Sequence, residues 1–163
     1  MEDKEKSKLV KLKEAYAPIC QKYDLPSFLE LNEDFAIEKI SDLETDFLIR
    51  EVRKFVGDKL VNYLRFIESL INPVNAPMFT LTIVKLISLG DRNKLGEIYK
   101  ELIKKEIEFI ELDIKFDEVK EAIFIKESYS SWQKIKLELL DIISRVNNRS
   151  DEKSESESKG YFG

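Results

Sequence analysis

Arg53, Lys59, Glu106 and Glu121 each fall inside a run of apolar residues at helical spacing, where a charge is out of place. Glu106 lies among Leu102, Ile103, Phe109 and Ile110. Glu121 shares a face with Phe124 and Ile125, with Trp132 further along. Arg53 falls among Ile49, Val56 and Leu60, and Lys59 among Phe55, Val56 and Tyr63. A charge removed from water must find a partner or lose its charge, so the spacing predicts cross-helix pairs of Arg53 or Lys59 with Glu106 or Glu121. Such a cluster has two uses. It can be a set of structural ion pairs, with the long cationic side chains reaching along their stems toward water. Alternatively it can line a small polar chamber that binds an anion or holds a carboxylate of shifted pKa, where lysine or glutamate would move the proton.

Other chemistries lack their residues. The 163-residue chain contains no histidine and one cysteine, Cys20. This removes Ser/His and Cys/His nucleophilic mechanisms, and it removes the Glu-x-x-His pairs on which di-iron bundles depend. No segment resembles a calcium-binding EF-hand loop, and no metal site is predicted. Neither a Walker spacing nor Gly-x-Gly-x-x-Gly occurs among the five glycines, so no nucleotide or other cofactor is implied. Cys20 sits beside Tyr16 and Ile19 on an apolar face and reads as an inert thiol. The balance favours a protein that is not an enzyme.

These charges must be positioned by helices. Leu9, Leu12, Tyr16, Ile19 and Tyr23 recur at steps of three and four over residues 4–23, a stripe that Pro18 should kink or split. Ser27 followed by Glu30 has capping-box spacing for a short helix ending near Asp34. Ser41 and Glu44 repeat that spacing ahead of a long helix running to Ile71, where Asn72-Pro73 stops it. Residues 75–90 are apolar nearly all round. Pro77 stands near their start and Gly90 at the predicted C-cap, although Phe79-Thr80-Leu81-Thr82-Ile83 also alternates like a strand. Asp91 and Asp117 are placed to cap the last two helices. The predicted fold is all-α, an irregular bundle of five or six helices, two of them long, spanning residues 1–147.

From Asn147 the composition changes. Residues 148–163 form an acidic, serine-rich tail with too little apolar surface to fold, ending in Tyr161 and Phe162, which could anchor it to a partner. The formal net charge of -5 argues against a general nucleic-acid binder, and the lysines at positions 4, 6, 8, 11 and 13 are diluted by neighbouring acids. No stretch is apolar for the roughly 20 residues that a membrane span needs, and a lone cysteine suits the cytoplasm.

The run Leu25-Pro26-Ser27-Phe28, with Leu31-Asn32 and Phe35, followed by Phe47-Leu48-Ile49-Arg50-Glu51-Val52-Arg53, resembles a family of small all-helical archaeal proteins with no assigned activity. The resemblance covers residues 25–147 and implies a cytoplasmic archaeal protein. Three functions are open: a non-enzymatic protein–protein interaction module using a helical face and the tail, an anion-binding or enzymatic site among the four charges, and an RNA- or ribosome-associated accessory protein. A homodimer through the wide face of the third helix is a further option.

Overall fold

The computed structural model describes the backbone of residues 2–74 and 76–160 and the side chains of residues 7–74 and 76–153. Within these residues the chain is all-α, with six α-helices, one 3-10 helix and no strand. The first helix, α1 (Glu2–Tyr23), runs through Pro18 without splitting. Asp24 ends it by taking the left-handed backbone conformation, with φ of 51°. This turn brings the Leu25 N–H to the Cys20 carbonyl at 3.0 Å, the long-reach bond of a Schellman-type helix end.

Helix α2 (Phe28–Phe35) begins with the predicted capping box. The Glu30 N–H donates to Ser27 Oγ at 3.3 Å, and the Ser27 N–H donates to the Glu30 carboxylate at 2.7 Å. The second spacing, Ser41 to Glu44, starts no helix. Ile37–Asp42 forms a 3-10 helix instead, with Ser41 inside it. A 3-10 turn brings residues three apart into line, and here it buries Ile37 and Ile40 together. Their burial outweighs the local capping signal, and α3 (Leu48–Ile71) starts only after the following loop.

The ambiguous apolar stretch is helical at α4 (Met78–Leu86). The burial pattern of α4 is unusual: Thr80 is its buried residue, while Met78 and Phe79 stand exposed. The boundary that follows differs from the Gly90 C-cap and Asp91 N-cap read from the sequence. Ser88 caps α5 (Leu89–Ile114), accepting from the Asp91 N–H at 3.1 Å on its hydroxyl and from the Arg92 N–H at 2.9 Å on its carbonyl. Gly90 therefore lies in the first turn of α5, and the Asp91 side chain is released for another role. At the next junction Asp117 caps α6 (Glu118–Gly160) as read, its Oδ1 accepting from the Val119 and Lys120 N–H groups at 3.1 Å each.

The chain forms two compact units: Met1–Asn62 with Lys104–Trp132, and Tyr63–Ile103 with Gln133–Gly163. In the first, Tyr16, Leu31, Ile37, Val52, Val56 and Ile125 are among the core residues. In the second, Ile67, Leu95, Ile98, Leu102, Ile135 and Ile142 are. Helices α3, α5 and α6 each supply residues to both. Beyond Asn147 the backbone of α6 stays helical to Gly160, and Arg149 still contacts the fold. Tyr161 and Phe162 lie outside the described residues.

Candidate functional site

In the first unit the structure brings together Arg53 and Glu121. Each side chain is 0% exposed, and Arg53 Nε donates to Glu121 Oε2 at 2.7 Å. Arg53 Nη2 donates to Asp113 Oδ1 at 2.8 Å, and the guanidinium lies over the Phe109 ring at 4.6 Å. Its neighbour Arg50 adds a second cation, donating to the Asp113 carbonyl at 3.4 Å and lying 5.9 Å from the Phe116 ring. The match is incomplete, since Arg53 Nη1 and Glu121 Oε1 are buried without a hydrogen bond. Burial pushes the Glu121 carboxyl up from its ordinary value, and the Arg53 guanidinium pulls it only part of the way back.

Lys59 and Glu106 are placed elsewhere. Lys59 Nζ donates to the Asp34 carbonyl at the end of α2, where a cation suits the exposed carbonyl groups of a helix C-terminus. It also lies 5.0 Å from the Trp132 ring and 5.7 Å from that of Phe35. Glu106 is half-buried and has no hydrogen bond to Arg53, Lys59 or Glu121. The deeply placed charge of this part of α5 is its neighbour Lys105, which the sequence reading passed over. Its Nζ donates to Glu108 and Glu127 at 2.8 Å each. Burial works against that charge, yet the two carboxylates outweigh it and raise the Lys105 pKa. The signal for Lys105 is visible in retrospect, because it shares a helical stripe with Leu102, Phe109 and Leu112.

The second unit holds its own charge cluster, also missed from the sequence. Asp91 is buried and accepts from Ser88 Oγ at 2.7 Å, from Arg145 Nε at 2.9 Å and from Arg149 Nη1 at 2.9 Å. Arg149 also donates to the Leu86 carbonyl at 2.8 Å, tying α6 to the end of α4. Burial alone would raise the Asp91 pKa, but Arg145, Ser88 and Arg149 reverse this and hold it well below the ordinary carboxylate range. A carboxylate with three donors has no spare basicity for proton transfer. The charges of both clusters thus find their counter-charges within the fold.

Two surfaces differ from them. On α5, Ile107, Ile110 and Ile114 are 62%, 50% and 82% exposed at spacings of three and four, on the face opposite Leu102, Lys105 and Leu112. Across the turn, Phe116, Val119 and Ile123 are exposed as well. An open groove of about 240 Å³ runs between the helices, with Leu112, Ile123 and Phe124 as its apolar part and Glu108, Glu111, Lys120 and Glu127 at its sides. In the second unit a cavity of about 160 Å³ is lined by Tyr63, Phe66 and Leu70 of α3, Ile83, Ile87 and Leu95, and Leu139, Ile142, Ile143, Val146 and Asn147 of α6. Arg53, Lys59, Glu106 and Glu121 line neither feature.

Cys20 Sγ donates to the Leu25 carbonyl at 3.2 Å, and burial pushes its pKa up, so the thiol is held in its unreactive form. Among the described residues, no group of three or more Cys, Asp or Glu is arranged to hold a metal ion, and no helix is long and apolar enough to cross a membrane. Compared with protein-family models, with curated proteins and with solved structures, the chain finds no match in any of the three.

Proposed function

We propose that the protein is a non-enzymatic interaction module that docks an amphipathic partner helix on the outer face of the α5–α6 hairpin. The observation that carries this reading is the exposed isoleucine stripe Ile107, Ile110 and Ile114 on the side of α5 turned away from its core. Contiguous exposed apolar surface on a charge-rich protein costs solubility, and a partner offsets that cost by covering it. Spacings of three and four match the seam of a helix-in-groove contact. Of the acids beside the stripe, Glu108, Glu111 and Asp113 already pair with Lys105, Lys120 and Arg53, so the occupant is set by the apolar stripe itself, as a helix that presents a matching apolar stripe.

The test uses the full chain and a synthetic helical peptide with leucine at seam positions and lysine beside them, followed by fluorescence anisotropy. Saturable binding is expected, weakened about tenfold or more by Ile110→Glu. The same substitution should leave the melting temperature within about a degree of wild type, because residue 110 is half out of the fold. Absence of binding, or binding indifferent to Ile110→Glu, overturns the reading. Sedimentation of the wild type as a dimer that Ile110→Glu dissociates replaces the partner helix with a second copy.

A further inference from the structure

We infer that the cavity of the second unit is a binding site for a small apolar molecule, a single ring or short branched chain carrying one hydrogen-bonding group. The walls set the chemistry. Aromatic faces come from Tyr63 and Phe66 and branched aliphatic groups from Leu139 and Ile142, while Asn147 supplies a polar side-chain amide. At about 160 Å³ the space matches one ring, since a cavity of about 150 Å³ lined by Leu, Ile and Phe is known to stay dry and to take up benzene. Polar cofactors and nucleotides are too large and find too few partners there.

Packing explains why the space persists. Helix α4 has nine residues, six of them apolar, yet Thr80 is its buried one. Ile83, one turn beyond Thr80, and Ile87, just past the end of α4, line the cavity and remain half-buried. A segment this apolar would normally sink further into the core, and protein interiors rarely leave such volume unfilled. The cavity also has an approach from solvent. Phe66, Ile143 and Asn147 line it and are themselves exposed, so a ligand can enter without unfolding a helix. This inference does not depend on the docking of a partner helix, which concerns residues of the other unit.

Fluorine NMR of the full chain with fluorobenzene and para-fluorophenol tests it. Both probes should bind saturably, the phenol about fivefold more tightly through its hydroxyl. Asn147→Leu should abolish that preference while fluorobenzene still binds. Val146→Phe, which fills the cavity, should remove binding of both probes with the helical circular dichroism intact. Should Val146→Phe fail to fold, Ile143→Trp fills the same space from a half-exposed position. Failure of either probe to saturate, or undiminished binding in the filled variants, overturns the site. Equal affinity of the two probes overturns the assignment of a polar group to the ligand.

Discussion

The ring of Phe109 occupies the space that a β-carbon would need at position 57, for an ideal Cβ on Gly57 falls 2.0 Å from Phe109 Cε2 and 2.1 Å from Cδ2. Helices α3 and α5 thus meet where one of them has no side chain. Arg53 precedes Gly57 by about one helical turn, and its guanidinium rests on the same ring at 4.6 Å. The missing side chain lets the ring in, and the ring in turn supports the buried cation.

Gly57→Ala should therefore destabilise the protein by about 1–3 kcal/mol despite the better helix propensity of alanine. Phe109→Leu introduced in the same chain should recover part of that loss by vacating the space. Urea unfolding midpoints of the single and double variants measure both effects. A Gly57→Ala midpoint equal to wild type would show that the ring moves aside freely.

Arg53→Met leaves the Glu121 carboxylate buried without its cation, a change expected to cost about 3–5 kcal/mol near neutral pH. The loss should narrow as the solution is acidified, because a protonated Glu121 no longer needs the guanidinium. Unfolding midpoints at two pH values check this, and a loss that does not vary with pH would place the damage in packing alone.

Glu121 gives stability a pH dependence of its own. Burial raises the Glu121 pKa above its ordinary 4.5 in the folded state, so the native protein holds that proton more tightly than the unfolded chain. The resulting stability is present below 4.5 and is lost as pH rises through the native value. Glu121→Gln, neutral throughout, should flatten that decline. Parallel profiles for wild type and Glu121→Gln would contradict the burial of an ionisable group at 121.

Asp91 predicts the opposite limb. Its carboxyl is held below the ordinary 3.8, so its contribution is present above that pH and disappears as the solution is acidified through the native value. Asp91→Asn should lower stability at neutral pH by about 2–3 kcal/mol, since hydrogen bonds to charged groups carry about that much. The gap to wild type should close in acid. Thermal unfolding of both proteins across the acid range measures it.

What could be read from the residues depended on how local the deciding force was. The Ser27–Glu30 box is complete within four residues, and it forms as written. Ser41–Glu44 carries the same signal but loses to the burial of Ile37 and Ile40, which depends on packing from outside the segment. Arg53 and Glu121 were legible because each sits near the middle of one apolar stripe. Glu106 was misplaced because α5 is apolar on two faces: taking Ile110 as core turns the helix toward Glu106, whereas the packed face runs through Leu102, Lys105 and Leu112. Asp91 looked like a cap, and the role passed to Ser88 because the carboxylate meets Arg145 and Arg149 from more than fifty residues away.

Arg53 and Glu121 are 68 residues apart, and the first unit is assembled from two stretches between which the chain makes much of the second. No short stretch can satisfy the buried guanidinium. Until both ends of that long loop have come together it must stay hydrated, so partly assembled chains hold Arg53 in water and cannot close the surrounding apolar layer. Bringing the ends together costs entropy that grows only slowly with loop length, while a half-closed state would bear an unpaired charge. The pair thus disfavours partial closure, so that this region forms as a whole or not at all.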